Sequence, residues 1–410
     1  MSILLDNKNL KFKLTTSDNV IENLDIKCIE SKIPNFSKEE YGYNVNLNIF
    51  RNKIDNIKDD VWKKIRWYIN KYDFPVNGSI INRAFYKYWE IINVFDIFDE
   101  YDSNKDLILH CAEAPGGFIQ GSNIYLNIEK KNKELLVDDE GFTLVKSKKS
   151  KLNSSSVYRI YTMSLNKNLE EYKRYNLPSY NKDVINKYVC ILNGVDSSGN
   201  INNIENVDSI KDNVKGLFYL ITCDGGFDEG CNFNNKEQLH YQLILNEIYC
   251  SIKLQKNNGH FILKMFDIFT DTSIHLLYLL SLCYKEVYIY KPLTSRPTNS
   301  EKYIICKNFN CDELRKKVYL DSIKKISLFF NKSVSEYKYF TIFKEIPDDF
   351  INEIFMINTN IVNRQCNFLK DAIDLCDNSF NDNYNREYVN SLDERNELFD
   401  NWKKIYKLKI

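Results

Sequence analysis

Glycine and proline are scarce, with 13 and 7 among 410 residues, which excludes a collagen-like fibre or a Pro/Gly-rich low-complexity chain. With aromatic residues at 14%, what remains is a globular protein long enough for two or three domains and a real core. An excess of one charge is also missing: 56 Lys and Arg stand against 56 Asp and Glu, so any polyanion site must be a local patch. Long apolar runs are absent. The longest, Ile274 to Tyr284, includes a histidine and falls well short of the roughly 20 apolar residues of a membrane span. The first residues, Met1-Ser-Ile-Leu-Leu-Asp-Asn-Lys8, have neither a basic leader nor a cleavage site, so a soluble chain without secretion is expected, in the cytoplasm or at a viral replication site or virion. Histidine is rare, at 4. The closest cysteine pairs, Cys223/Cys231, Cys306/Cys311 and Cys366/Cys376, lack the two-residue spacer of zinc knuckles, so buried reduced thiols and no metal are expected. The heavy use of Asn, Lys, Ile and Tyr looks like the bias of an AT-rich genome, such as that of a large DNA virus or a protist, and carries no chemistry.

Three regions are expected. Residues 1–75 read as a mixed segment, with an alternating stretch Asn44-Val-Asn-Leu-Asn-Ile-Phe50 and a helical pattern from Asp55 to Lys71 that ends at Asp73-Phe-Pro75. Within 76–310, a helical pattern over Ile80 to Phe98 puts Phe85, Trp89, Ile92 and Phe95 on one face. Strand-like runs follow at Leu107–Ala112, Val157–Thr162, Leu217–Thr222, His260–Lys264, Glu286–Tyr290 and Lys302–Cys306, most of them separated by helical patterns such as 236–256 and 272–283. Alternating strands and helices predict a parallel, doubly wound α/β sheet, and the loop between the last two strands predicts an antiparallel edge. Residues 129–155, with Glu129-Lys-Lys-Asn-Lys133 and the Lys146–Lys151 cluster, look like an exposed insertion or hairpin. Residues 311–410 read as a separate helical region, with patterns near 311–328, 348–375 and 385–408.

Four places carry candidate chemistry. The turn Ala112-Glu-Ala-Pro-Gly-Gly-Phe118 follows the first strand, where a doubly wound sheet binds its ligand, although it lacks the G-x-G-x-x-G spacing of a dinucleotide site. Asp224 stands at the tip of the strand 217–222. Lys264 closes the run 260–264, and Glu301 opens the last strand after Lys291-Pro-Leu-Thr-Ser-Arg-Pro-Thr-Asn-Ser300. Taken singly, each has a bland alternative: a tight turn, a strand-end cap, a snorkelling amine, a solvated edge. Their joint placement on one rim of one sheet does not.

On these residues the segment 76–310 resembles the FtsJ-like ribose 2′-O-methyltransferases, and most of all their Adrift-type and cap-methylating branch. Asn82-Arg-Ala-Phe-Tyr-Lys87 is similar to the family's Arg-Ala-x-x-Lys helix. Leu109-His-Cys-Ala-Glu-Ala-Pro-Gly-Gly-Phe118 is similar to its cofactor loop, and Gly194-Val-Asp-Ser-Ser-Gly-Asn200-Ile201 to a second cofactor segment, with Asn200 where an acid is usual. The chain departs from the pattern again at His110 and at Met163-Ser164-Leu165, where acids often stand. The resemblance implies a Rossmann-like methyltransferase sheet that uses S-adenosyl-L-methionine, with Glu113, Ala114, Pro115, Gly116, Gly117, Phe118, Asp196, Asn200 and Asp224 as cofactor residues. It implies a catalytic set of Lys87, Asp224, Lys264 and Glu301. Gly116 and Gly117 are expected to let the backbone approach the methionine portion.

The implied reaction is methyl transfer to a ribose 2′-hydroxyl of single-stranded RNA. The large N- and C-terminal regions favour 5′-capped mRNA, with the capping or transcription machinery as partner and no membrane. Methylation of an internal ribosomal or transfer RNA ribose, or a non-catalytic RNA-binding role, remain the alternatives. Lys264 is the central residue, either as a neutral amine that takes the hydroxyl proton or as a cation that steers the oxygen and stabilises developing negative charge. Arg83, Arg296 and the Lys146–Lys151 cluster are candidate phosphate ligands, the cluster having a solvated loop as its alternative.

Overall fold

The computed structural model describes residues 11–15, 24–31, 37–76, 79–135, 159–173, 177–226, 233–330, 337–377 and 380–408. The N-terminal region contributes strands β1 (Lys11–Leu14) and β2 (Leu24–Ser31) and helices α1 (Val45–Asp55) and α2 (Asp59–Ile69). Then follow α3 (Ala84–Val94), β3 (Ile108–Cys111), α4 (Gly117–Leu135), β4 (Ile160–Met163), β5 (Val189–Ile191), α5 (Ile204–Asn213), β6 (Phe218–Cys223), α6 (Lys236–Leu239), α7 (Tyr241–Leu254), β7 (Gln255–Met265), α8 (Asp271–Cys283), β8 (Tyr284–Tyr290) and β9 (Lys302–Phe309). The chain continues through α9 (Glu313–Phe330), β10 (Tyr337–Phe343), α10 (Asp348–Asp377) and α11 (Phe380–Ile405).

Eight strands form one sheet in the order β1-β8-β9-β7-β6-β3-β4-β5. Strands β3 to β7 are parallel, and β9 inserts antiparallel between β7 and β8. The doubly wound α/β sheet and its antiparallel pair are as the sequence predicts. The edge beyond β8 is closed by β1, paired antiparallel from Lys11 opposite Tyr290 to Leu14 opposite Val287. Successive strand residues face opposite sides, so both faces are buried. Ile108, Ile160, Leu220, Ile262 and Ile305 pack toward α3, α4 and Trp402 of α11. Leu109, Tyr161, Ile221 and Leu263 pack toward α5, α7, α8 and α9.

Several sequence expectations are corrected. The alternating stretch 44–50 is not extended but opens α1: Leu47, Arg51 and Ile54 recur at helical spacing and are buried, and Asn44 caps the helix by accepting from the backbone N–H of Asn46. The single helical pattern of 55–71 is broken, because Lys58 is extended and separates α1 from α2. Residues 129–135, expected in an insertion, prolong α4; the rest of that stretch and the Lys146–Lys151 cluster lie outside the described residues, apart from a return at 159. Strand β7 starts at Gln255 rather than near His260, since the buried Gln255 amide donates to the Phe218 and Tyr219 carbonyls, and the register between β6 and β7 shifts before His260. Four strands were not anticipated from the sequence: β1, β5, and the pair β2 and β10, which form a second two-stranded sheet, β10 interrupting the region 311–410 expected to be helical.

The C-terminal helices share the sheet's core clusters. Tyr319, Ile323 and Ile326 of α9 join one of them. Trp402 is fully buried against Phe74 and Tyr86, at ring-centroid distances of 5.4 and 5.6 Å, and the Trp89 indole N–H donates to the Tyr406 carbonyl at 2.9 Å. Val362, Leu369 and Ala372 of α10 cluster with Leu47, Ile54 and Ile65 of α1 and α2. No helix among the described residues is long and apolar enough to cross a membrane.

Candidate active site

The carboxyl ends of β3, β6 and β7, the start of β9 and the outer face of α3 converge on one rim. Lys87, one turn into α3, places its ammonium 2.7 and 2.9 Å from the two carboxylate oxygens of Glu301. Glu301 Oε1 also accepts from the Ser295 hydroxyl at 2.8 Å. From β7, Lys264 Nζ donates to the Asp224 carbonyl at 2.6 Å and lies 3.4 Å from Asp224 Oδ1. The other contact on that carboxylate oxygen is the Tyr303 hydroxyl, which donates at 2.8 Å. Tyr303 stands directly across from Lys264 in the β7–β9 ladder and two residues after Glu301, on the same strand face. The four residues expected to work together are therefore in two touching pairs.

Electrostatics bind the pairs into one unit. Burial pushes the Glu301 carboxyl up, but Lys87, Lys264 and Lys291 outweigh it and hold the group well below the ordinary carboxylate range. Burial pushes the Lys264 amine down, and Asp224, Glu301 and Glu247 more than offset this, so its value is raised and it rests as an ammonium. The loop before Glu301 is fixed from within the fold. Lys291 Nζ donates to the carbonyls of Asn299 and Glu301, both at 2.7 Å. Glu90, buried on α3, accepts from the Tyr290 hydroxyl, the Leu293 N–H and both the N–H and hydroxyl of Thr294, at 2.6 to 3.2 Å. Sequence reasoning missed Glu90, Lys291 and Tyr303. Only Tyr303 had a usable signal, its period-two spacing from Glu301.

The turn after β3 is held by close packing. A Cβ on Gly117 would collide with Asn82 Oδ1 and come within 2.8 Å of the Phe85 backbone nitrogen, and one on Gly116, at φ +116°, would lie 2.7 Å from Val184 Cγ2. The two glycines are thus needed for close contact with protein atoms, Gly117 for the approach of α4 to the start of α3 and Gly116 for the approach to Val184. The Phe118 ring is buried against Tyr88 and Tyr303, at 4.7 and 6.2 Å, so only its backbone can face a ligand. Its N–H donates to Glu113 Oε1 at 2.5 Å. The Ser164 hydroxyl accepts from the N–H groups of Glu113 and Ala114, at 2.8 and 3.2 Å, and so anchors the turn at Glu113 and Ala114, just before Pro115. His110 is a neutral core residue between Thr222 and Ser122, its pKa pushed down to about 3 by burial.

The donor set can be tested against the implied S-adenosyl-L-methionine, which carries a positive sulfur and a positive amino group. Glu113 Oε2 is buried and has no hydrogen-bond partner among the described residues. Burial, and then the neighbouring Asp224, push the Glu113 carboxyl well up, so a cation beside it would restore its charged form. An orphaned acceptor next to Asp224 fits the cationic end of that molecule. At the other end the side chains are engaged locally. Asp196 accepts from the Ser198 N–H and from the Asn203 and Asn206 amides, and burial is outweighed by these bonds, so its pKa falls to about 2. Asn200 accepts from the Asn202 N–H and donates to the Tyr172 hydroxyl.

Of the expected phosphate ligands, Arg83 and Arg296 lie near each other beside the rim. Arg83 pairs with Asp73 at 2.7 Å and donates to the Thr294 carbonyl at 3.1 Å; burial, opposed by Asp73 and aided by Arg296, lowers its pKa to about 10. Arg296 is half-buried, and its Nε has no hydrogen-bond partner among the described residues.

Fold and rim define the class: an α/β protein of the Rossmann-like kind, with its polar site at the carboxyl ends of parallel strands. Residues 80–309, more than half of the chain, match the FtsJ-like methyltransferase family, and the chain belongs to that family. It is 38% identical over 139 residues to the Bos taurus cap-specific mRNA (nucleoside-2′-O-)-methyltransferase 1, covering 32% of this chain and 16% of that protein. It is 28% identical over 271 residues to the Mus musculus cap-specific mRNA (nucleoside-2′-O-)-methyltransferase 2, covering 63% of this chain and 32% of that protein. The matched segment thus spans a third or less of these relatives' length. A solved Plasmodium falciparum structure, provisionally named a ribosomal RNA methyltransferase, aligns over 56% of this chain and 97% of its own at 18% identity and a TM-score of 0.35.

Proposed function

We propose that this protein is an S-adenosyl-L-methionine-dependent mRNA cap ribose 2′-O-methyltransferase that methylates a 2′-hydroxyl near the 5′ end of single-stranded RNA. The observation that carries the reading is the pairing of Lys87 with Glu301 and of Lys264 with Asp224 on one strand-end rim. The choice of capped mRNA rests on the relatives, two of which are named for that substrate. In this reading the capping or transcription machinery is the partner.

When bound, the cofactor supplies a methyl group on a sulfonium, ready for in-line displacement by the ribose oxygen. Asp224, held by Tyr303, and Glu301, held by Lys87 and Ser295, fix the Lys264 amine against the acceptor. With Lys264 raised into its ammonium form, its N–H donates to the 2′-oxygen and stabilises negative charge developing there, and the hydroxyl proton passes to solvent water as methyl transfer completes. To accept that proton itself, Lys264 Nζ would first have to lose one of its own. A rate independent of pH between 7 and 9 supports the charged role, whereas a rate rising about tenfold per pH unit supports the proton acceptor.

The test is incubation with labelled cofactor and matched capped or triphosphate-ended RNAs, followed by nucleoside analysis. The expected result is 2′-O-methylation far faster on the capped RNA, abolished by Lys264→Ala with cofactor affinity retained. Equal rates on both RNAs, or methyl groups at internal positions only, would replace the cap reading with internal RNA methylation. RNA binding without transfer to either RNA would leave a non-catalytic RNA-binding protein.

A further inference from the structure

Beside the rim, an open cleft of about 110 Å³ lies between the end of α2, the 291–299 loop and α10. It adjoins the site directly: Ser295, which lines the cleft, donates to Glu301, and Lys291, also in its wall, donates to the Glu301 carbonyl. The walls from α2 and α10 lie outside the residues that match the family. The catalytic reading gives these walls no role.

Their chemistry is specific. Two aromatic side chains, Tyr72 and Phe368, face the cleft with prolines and aliphatic groups around them. The Arg364 guanidinium stands 5.8 Å from the Phe368 ring centroid, and no acidic side chain is among the lining residues. Asn70 lines the cleft at 2% exposure, and its Nδ2 has no hydrogen-bond partner among the described residues. A purely apolar ligand would leave that amide and the Arg364 charge unanswered. A positively charged ring would meet Arg364 with no carboxylate to compensate. An uncharged aromatic ring joined to an anion satisfies all three: the ring lies on aromatic surface, the anion meets the guanidinium, and a ring carbonyl can accept from Asn70.

We propose that this cleft holds a nucleotide of the RNA strand other than the acceptor, with its uncharged base on Tyr72 and Phe368 and its phosphate on Arg364. The inference rests on the reading of the chain as an RNA methyltransferase and extends the substrate path from Glu301 over the 291–299 loop to α10. It separates this cleft from recognition of a cationic cap base, which would need carboxylates that these walls do not offer.

The test uses the full chain and anisotropy with a short, uncapped, fluorescent single-stranded RNA. Arg364→Ala and Phe368→Ala should each weaken RNA binding about tenfold. Arg364→Ala should also flatten the plot of log affinity against log salt by about 0.7, the signature of one lost phosphate contact. Cofactor affinity should stay unchanged. Because Arg364 is exposed, its variants, including Arg364→Glu, remain informative if Phe368→Ala does not fold. Unchanged RNA affinity and salt slope in the folded arginine variants would overturn the proposal, as would a loss confined to a methylated cap dinucleotide. Methyl transfer with an unaltered KM for RNA in these variants would remove the cleft and leave the proposed function standing. Loss of RNA affinity in the variants of a protein that transfers no methyl group would do the reverse.

Discussion

Lys87 and Glu301, 214 positions apart in sequence, form a two-pronged ion pair that joins the first helix of the sheet domain to its last strand. Neither residue is on a flexible tip. Lys87 is fixed by the aromatic packing of α3 on both sides, and Glu301 by the buried loop before it. The pair therefore belongs to the fold as much as to the site, and its loss should be visible in stability as well as in turnover.

Lys87→Met leaves a mostly buried carboxylate with one cation fewer and should cost roughly 3 kcal/mol in urea unfolding at pH 7. The sign with pH follows from the depressed Glu301 value: its stabilising contribution is present above the ordinary glutamate range and is lost as pH falls through the lower folded value. Lys87→Met should accordingly lose stability at a higher pH than the wild type during acid unfolding. A double-mutant cycle with Glu301→Gln should show strong coupling, and simple additivity of the two changes would dismiss the pair.

Glu90 sets the loop that delivers Glu301. Glu90→Ala strands the Leu293 and Thr294 donors and should cost about 2–4 kcal/mol. It should also lower kcat, because Glu301 is then less well placed. Glu90→Gln should restore part of both, since its carbonyl oxygen can still accept from Tyr290 and Leu293 while its amide nitrogen cannot accept from Thr294. If Glu90→Gln and Glu90→Ala behave alike, the anchoring role is wrong.

Much of the architecture was legible because it depends on periodicity. Phe85, Trp89, Ile92 and Phe95 fall at helical spacing and are buried, the strand-like runs within the described residues became strands of the sheet, and the longest apolar run, from Ile274, became helix α8 as its pattern predicts. The misses have more than one cause. Strands β1 and β5 are only 4 and 3 residues long and exist because a neighbouring edge offers hydrogen bonds, a tertiary fact that no local pattern carries, whereas β10, Tyr337-Lys-Tyr-Phe-Thr-Ile-Phe343, is rich in strand formers and lies between helical patterns that masked it. Asn44 to Phe50 alternates like a strand, yet Leu47 and Ile54 are what α10 buries. In the site, the order of Lys87, Asp224, Lys264 and Glu301 along the chain was readable, but their partners were not. Glu90 and Lys291 look like ordinary surface charges until the 291–299 loop folds over them.

The glycines offer a direct comparison. Gly117→Ala pushes a methyl group into the backbone of α3 and should destabilise the protein by roughly 1–3 kcal/mol. A Cβ on Gly226 would lie 3.2 Å from Lys264 Nζ, the far end of a flexible side chain, so Gly226→Ala should leave the melting temperature nearly unchanged while displacing the amine and lowering turnover. Thermal unfolding and methyl-transfer assays on both variants check this. Equal stability losses in the two would refute the distinction.

Glu247 lies beneath the rim on α7, 1% exposed, with its carboxylate against the Gly225 backbone. Burial drives its pKa up to about 8, with Lys264 pulling it down and Asp224 pushing it up. Cys111, Cys223 and Cys250 also lie within its electrostatic reach. A folded value above the ordinary 4.5 means that the neutral acid favours folding below that pH, and that the advantage is lost as pH rises toward about 8. The loss can reach roughly 1.4 kcal/mol per pH unit within the window. Glu247→Gln is a neutral isostere and should abolish this component. Its stability should match the wild type near pH 4, exceed it increasingly up to pH 8, and run parallel beyond. Urea unfolding across that range measures the difference between the two proteins, in which the titrations of other buried carboxyls cancel. A constant difference would mean that Glu247 does not titrate in the window. Below pH 7 the wild-type group is already neutral, so Glu247→Gln should leave the methyl-transfer rate close to the wild-type value there and depart from it only as the wild-type carboxylate forms beside Lys264.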